Sequence, residues 1–600
     1  MSMLKQLNLI RPLFDRRDKL RYISLLILMI IGAFLDVIGI GAVPAFVAAL
    51  AVPEKVMSFP IAASFLEYVG ITTARDLVIW GASILMLVFF FKNIYIYGVY
   101  FFQVRTTEYH RVRLADRLFT AYMNAPWEFH LRRNSAELLR NVSSETTEIM
   151  TGVINPLLNL VMGGMMTLFT LALLVATTPG VAVVGIALVG GASWGFLRLF
   201  KNRLKTYGLE AKKERKEMIQ AVNQGLAGLI DIRTLGREPY FTNVLYRSMA
   251  NFARASRLRQ VIAKAAPNVL EMVAVIGLLG IVLVLILRGQ DSASLVPMLA
   301  LYGAAIVRLR QSIGQMVGSI SQIQFSGAAI PNVVEDLKNL EGPSWKRRKP
   351  VEALPALTFK EAIQISNVSF TYSDADRPAI QGLNLTIRKG ESVGFVGSTG
   401  SGKSTLVNVI LGLLKPQEGA ITIDGMDIQD NLRGWLNGIG YIPQTIFLLD
   451  DTIRRNIAFG LSDEEVEEKQ VWAAIEAAQL NDFIKELPQG LDTVVGERGV
   501  RLSGGQRQRI GLARALYHDP EVLVMDEATA ALDNHTEDLV MKALNSLQDG
   551  RTFIMIAHRL STVQRCDRLY FLKDGCIDAT GAYDELVAAH PEFQQMAEVA

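Results

Sequence analysis

The sequence predicts two unlike parts in one chain: an α-helical portion that crosses a membrane six times, followed by an α/β domain. Three observations carry this prediction. Half of the 600 residues are hydrophobic and only 20% are charged, with a mean hydropathy of +0.27, which excludes a disordered chain and argues against an ordinary soluble enzyme. Apolar runs long enough for a ~30 Å hydrocarbon core, which takes ~20 helical residues, all fall before Phe325. From Phe359 onward, short β-rich runs alternate with helical patterns.

The chain is long enough for about four average domains, so more than one folding unit is expected. A net charge of +3 gives no global polycation, which argues against a nucleic-acid partner. Cys566 and Cys576 have neither a disulfide-framework nor a zinc-ligand spacing and read as free cytosolic thiols.

Taken in order, residues 1–21 form a basic, amphipathic leader, read as an interfacial elbow helix. The membrane portion runs over 22–340, with spans at Tyr22 to Val52, Leu77 to about Phe102, Ile154 to Ala176, Val181 to Phe200, Val269 to Leu287 and Leu295 to about Met316. The first run is too long for a signal-peptide core of ~7–15 residues, and no small-residue site closes it early, so no cleavage is expected. Long basic connections, Gln103 to about Thr151 and Arg198 to Lys264, mark the cytoplasmic side. Their helical composition predicts rods that continue beyond the bilayer. Within them, Pro126 to Ala136 and about Asn223 to Arg233 are read as short coupling helices or, alternatively, as ordinary loop helices. Residues 341–358 are a Pro-bearing basic linker, and 359–600 form the α/β domain, with strands expected at Ile363 to Tyr372, Ser392 to Val396, Gly419 to Ile423, Val522 to Met525 and Phe553 to Ile556.

The chemistry concentrates in that last domain. Gly397, Ser398, Thr399, Gly400, Ser401, Gly402, Lys403, Ser404 and Thr405 follow an expected strand and open a helix, and they fit G-x-x-x-x-G-K-[ST]. Such a loop turns backbone N–H groups around phosphate oxygens. Lys403 reaches the β- and γ-phosphates, and Ser404 can ligate Mg²⁺. The strand Val522 to Met525 ends in Asp526, suited to Mg²⁺, and Glu527, placed to polarise an attacking water. ATP and Mg²⁺ are therefore the expected substrate and cofactor.

Between these motifs stands Leu502-Ser503-Gly504-Gly505-Gln506, and the domain resembles the nucleotide-binding cassette of ATP-binding cassette transporters, whose signature is LSGGQ. That resemblance implies that Tyr372 stacks on adenine, Gln444 senses Mg²⁺, Asp533 communicates between opposed cassettes, and His558 contacts the γ-phosphate. Thr493 to Gly499 resembles an exporter-type loop, and the six spans fit the same exporter class. The implied fold is thus an exporter-type six-span helical domain fused to an α/β P-loop domain. Because one chain holds one phosphate loop and one signature, the resemblance implies a second half-transporter, with a homodimer favoured because Glu527, His558 and the signature are all intact.

Cargo is read from charges within the spans. Asp36 falls in the first, Lys92 in the second, and Arg308 and Arg310 in the sixth. Lys92, Arg308 and Arg310 would suit an anionic cargo if they line a cavity; alternatively they snorkel to the interface or pair with an acid. The segment Pro60 to Ile71 is apolar but too short to span, and either lies along the outer leaflet or seals a loop. These features resemble the flippases for lipid-linked oligosaccharides of bacterial protein N-glycosylation, although Asn268 and Gln315 are neutral where further arginines would be expected. The reading that follows is an ATP-driven flippase of a lipid-linked glycan or related amphipathic lipid in the inner membrane, with N-terminus and cassette cytoplasmic. A drug or peptide exporter and a non-transporting regulatory ATPase are the alternatives.

Overall fold

The computed structural model describes residues 9–51, 53, 73–288, 292–327, 330–340, 357, 359–527, 537, 540, 550–556 and 560–599. It divides into two compact units: Met1–Ala125 with Arg133–Lys346, and Pro126–Arg132 with Arg347–Ala600. The first contains six long helices: α1 (Arg16–Ala51), α2 (Ala74–Met123), α3 (Asn155–Thr177), α4 (Pro179–Ala227), α5 (Glu238–Leu287) and α6 (Ser292–Ser326). At 1.5 Å per residue, α2, α4 and α5 reach roughly 75 Å, more than twice a ~30 Å hydrocarbon core, so the expected rods are present. Helix α4 packs along α5, α3 along α6, and α1 against α2. The α3–α6 approach is close at Gly163, where a Cβ would lie 3.0 Å from Met316 Cγ and 3.2 Å from the Ser312 carbonyl. Exposed apolar side chains such as Phe34, Leu87, Phe91, Leu279 and Leu283 clothe the long helices, as lipid-facing surfaces require.

Among the described residues, five helices are long and apolar enough to cross a membrane. The sixth expected span forms as the unbroken helix α6, but Arg308, Arg310 and several glutamines lower its hydropathy. Of the expected leader 1–21, residues 1–8 lie outside the described residues; after a short turn at Arg11–Leu13, α1 starts at Arg16 and runs through the expected boundary at position 21. Arg113 of α2 fixes this entry by donating to Asp15 at 2.6 Å and Asp18 at 2.8 Å. The short helices also shift. Trp127–Arg132 and Ser135–Arg140 replace a single helix over 126–136, because Asn134 caps the second with its side chain. The other lies at Leu229–Thr234, since α4 runs through the expected start at Asn223. The segment Pro60 to Ile71 lies outside the described residues, as does all but Leu357 of the linker at 341–358.

A buried polar cluster ties this unit together near the linker. The amphipathic helix α7 (Ile330–Leu340) buries Val333, Val334 and Leu337, and with them Asp336. The Asp336 carboxylate accepts from the Tyr122 hydroxyl at 2.6 Å, from Asn141 Nδ2 at 3.0 Å and from Arg133 at 3.1 Å. Those partners flank the loop 123–132 on both sides, so one carboxylate fixes both of its ends.

The second unit holds two sheets. Strands β1 (Ala362–Phe370), β2 (Ile380–Arg388), β4 (Glu418–Ile423) and β5 (Met426–Asp427) form an antiparallel sheet in the order β2-β1-β4-β5. Strands β3 (Ser392–Val396), β6 (Ile439–Ile442), β7 (Val522–Asp526), β8 (Thr552–Ile556), β9 (Arg568–Lys573) and β10 (Cys576–Gly581) form the other. Its order is β10-β9-β3-β8-β7-β6, and all pairings are parallel except β9–β10. Strands β3 and β8 are buried throughout, which explains their continuous apolar reading.

Candidate functional site

This topology brings distant motifs to one edge. The phosphate loop follows the C-terminal end of β3, Gln444 follows β6, and Asp526 and Glu527 end β7, the edge where parallel sheets bind ligands. Helix α8 (Lys403–Ile410) begins at the loop, with Gly402 at φ +102° as its cap. A Cβ at Gly402 would meet the Ala379 carbonyl at 2.4 Å, and one at Gly397, whose φ is +150°, would meet the Leu572 carbonyl at 2.2 Å. Both positions therefore demand glycine.

Lys403 is 5% exposed, and its ammonium donates to the carbonyls of Gly397 at 2.7 Å and Ser398 at 2.8 Å. The side chain thus curls back over the loop where phosphates would bind. Burial lowers the pKa of this ammonium, and the charges of Glu527 and Asp526 oppose the shift. Gln444 Nε2 donates to Glu527 Oε2 at 2.6 Å, so two residues singled out from separate motifs meet directly. Glu527 has φ +50°, a left-handed conformation unusual for its type, with its N–H held by the Ile556 carbonyl at 3.1 Å. Ser404, Gln444 and Asp526 offer a hydroxyl, an amide oxygen and a carboxylate. These hard oxygen donors fit Mg²⁺, which takes few protein ligands and shares phosphate oxygens.

Tyr372 is half-buried, stands edge-on to Phe370 at 5.0 Å between ring centroids, and reaches Thr405 with its hydroxyl at 3.1 Å. With Phe370, Ser373 and Asp374 it lines a cavity of about 280 Å³ together with Leu131 and Arg132 of the short helix Trp127–Arg132. The signature opens helix α9 (Gly504–Leu516) as a capping box: Ser503 Oγ accepts from the Gln506 N–H at 3.2 Å, and Gln506 Oε1 accepts from the Ser503 N–H at 2.8 Å. Gly504 and Gly505 thereby form the first turn of a helix whose N-terminus favours an anion. Asp533 and His558 lie outside the described residues.

In the membrane unit, Lys92 Nζ donates to Asp36 Oδ1 at 3.0 Å, and Arg308 Nε donates to Asp36 Oδ2. Arg310 instead pairs with Glu271 of α5 at 3.3 Å, beside an apolar cavity of about 240 Å³ among α3, α4, α5 and α6. The three cations therefore do not act as one group. The sequence points to Asp36 and to pairing with an acid as one alternative, but not to Glu271 or to which cation each acid holds, because no local spacing links positions so far apart.

A phosphate loop, a polarised glutamate and a capped signature on one fold, continuous with long membrane helices, define an ATP-hydrolysing membrane transporter. Residues 22–308 match the family described as ABC transporter transmembrane region, and residues 380–530 match ABC transporter. An ATP-dependent lipid A-core flippase of Thiobacillus denitrificans is 32% identical over 487 residues, covering 80% of this chain and 82% of that protein. One of the same name from Chromobacterium violaceum is 30% identical over 483 residues, covering 79% and 80%. A bacterial Atm1-family ABC exporter solved with ATP bound superposes with a TM-score of 0.71 at 23% identity, covering 98% of this chain and 99% of that one. The chain belongs to the ABC transporter family, as an exporter half-transporter whose cassette couples ATP hydrolysis to transport.

Proposed function

We propose that two copies of this chain form a flippase that moves a phosphate-bearing glycolipid across the bacterial inner membrane, with the N-terminus and the nucleotide unit cytoplasmic. The observation that carries the cargo class is the pairing of two spanning-helix cations, Lys92 and Arg308, with one carboxylate, Asp36, which leaves a positive charge for an anionic headgroup. Lipid A-core, named for the relatives, and lipid-linked oligosaccharides share phosphate, sugar and an apolar tail, so both belong to this class.

In the dimer, each nucleotide lies between the phosphate loop of one copy and the signature turn of the other. Lys403 exchanges its loop carbonyls for phosphate oxygens, and the Ser503-capped helix N-terminus faces the terminal phosphate. Glu527, oriented by Gln444, positions the attacking water and draws on its proton. Mg²⁺, held by Ser404, Gln444 and Asp526, supplies charge neutralisation of the phosphates when bound. Asp533 and His558 complete the proposed site. Closure on ATP and release after hydrolysis alternate the membrane unit between two openings.

The apolar cavity near Arg310 favours a second reading, export of a hydrophobic drug or peptide. Reconstitution in liposomes separates the two. ATP-dependent movement of lipid A-core or of a polyprenyl-pyrophosphate glycan, with a cationic dye left in place, is the expected result. Dye movement without lipid movement would overturn the flippase reading.

A further inference from the structure

Gln444, whose amide holds Glu527, stands on an irregular segment that leaves β6 and runs over 443–449. That segment is fastened to α9, the helix that the signature opens. Ile446 is seated against Gly511: a Cβ there would lie 2.3 Å from Ile446 Cδ1 and 2.9 Å from its Cγ1, so the helix leaves a notch for this side chain. Three positions further along the same face, Arg514 donates from Nη1 to the Phe447 carbonyl at 2.8 Å. Its Nε donates to the Asn456 carbonyl at 2.8 Å, and its Nη2 to Asn456 Oδ1 at 3.2 Å. Asn456 is fully buried; the same Oδ1 accepts from the Leu449 N–H at 2.8 Å, and Nδ2 donates to the Leu449 carbonyl at 3.1 Å and the Thr452 carbonyl at 3.0 Å. One guanidinium thus grips the run 447–449 at both ends, directly at Phe447 and through Asn456 at Leu449.

Among the described residues, the partners of Arg514 are all neutral: those three oxygens and the face of Phe459, 4.4 Å from the ring centroid. Burial pushes its pKa down to about 10, which leaves it charged at neutral pH. Hydrogen bonds from a charged donor are the stronger kind, and a planar fork fixes their directions, so this clamp is stiff. We infer that Arg514 is a positioning residue for ATP hydrolysis: by clamping 447–449 to α9 it sets where Gln444 stands, and through Gln444 it holds the Glu527 carboxylate. The inference rests on the water-orienting role proposed for the Gln444–Glu527 pair. Arg514 itself touches neither the phosphate loop nor Glu527, so it acts on the rate and not on nucleotide binding.

The test is a double-mutant cycle in the full chain in lipid nanodiscs, read as kcat and KM for ATP and as affinity for trinitrophenyl-ATP. Arg514→Lys keeps the charge but cannot reach three acceptors at once, so kcat should fall about tenfold. KM and trinitrophenyl-ATP affinity should stay within about twofold of the parent. In the double variant Gln444→Ala/Arg514→Lys, kcat should equal that of Gln444→Ala alone, since nothing is left for Arg514 to position; a merely structural role would multiply the two losses. Gly511→Ala approaches the same segment from its other anchor and decides the matter should Arg514→Lys not fold. It drives Ile446 from its notch and should lower kcat likewise, and adding Ile446→Ala, which vacates the notch, should recover most of the loss. Multiplied losses in the cycle, a parental kcat in Arg514→Lys, or a parental kcat in Gly511→Ala overturns the inference and leaves the role of Gln444 standing. A parental kcat in Gln444→Ala removes the proposed role of the Gln444–Glu527 pair, and this inference with it.

Discussion

Lys403 in the nucleotide unit and Lys92 in the membrane unit are both nearly buried, yet they are held in different ways. Lys403 donates to two backbone carbonyls of its own loop. Lys92 donates to a carboxylate that it shares with an arginine from another helix. A cation held by loop carbonyls depends on backbone shape, which two obligatory glycines fix, and it is poised for any nucleotide phosphate. A cation held by a side chain depends on which residues three separate helices present, so its selectivity can be retuned by one substitution. Under the proposed function, the conversion of energy is built into the backbone and the choice of cargo into side chains.

That contrast can be broken most severely at Glu527. Glu527→Gln removes the group that orients water but leaves the loop and the Mg²⁺ donors, so ATP turnover should fall at least about 100-fold while nucleotide binding persists. Turnover at the parental rate would remove Glu527 from the proposed role. Next, exchanging the two kinds of cation sharpens the comparison. Lys403→Arg should abolish most ATPase activity, because a planar guanidinium does not fit the loop carbonyls, whereas Lys92→Arg should keep transport within a few-fold. Equal losses at both positions would contradict the backbone-versus-side-chain distinction.

A smaller effect is expected at the cluster beside the linker. Asp336→Ala strips three hydrogen-bond partners of their shared acceptor and should lower stability by roughly 3 kcal/mol, measured as a shift in the thermal unfolding midpoint. An unchanged midpoint would show that Tyr122, Asn141 and Arg133 find other acceptors. Smallest is the chemistry of the two thiols. Cys566 is buried, and burial pushes its pKa up to about 11, whereas Cys576 is exposed. A maleimide at pH 7.5 should therefore label one thiol per chain, Cys576, and reach Cys566 only after denaturation.

The same physics explains what could be read from the sequence. The phosphate loop, Asp526, Glu527 and the signature are each contiguous, and each requires particular backbone geometry, so residue types at fixed spacing reveal them. The meeting of Gln444 with Glu527 follows from β6 lying beside β7, an order that local pattern does not give. Strands β2, β5, β6, β9 and β10 were not anticipated, although β2 alternates buried and exposed residues along much of its length. In the membrane unit, hydropathy located the helices but not their ends, because α2, α4 and α5 continue with polar composition beyond the hydrocarbon. The Asp36 and Asp336 clusters stayed hidden, since their members come from segments separated by tens to hundreds of positions.

The central claim is that each ATP is shared between two copies of this chain, and a covalently linked pair tests it most directly. Lys403→Ala and Ser503→Arg are placed either in the same copy or in opposite copies, and ATP hydrolysis is measured. If each nucleotide is shared, opposite placement spoils one site twice and leaves the other intact, so activity survives, while same-copy placement spoils both and silences the pair. Activity in the same-copy arrangement, with silence in the opposite one, would mean that each cassette hydrolyses ATP alone and would contradict the account.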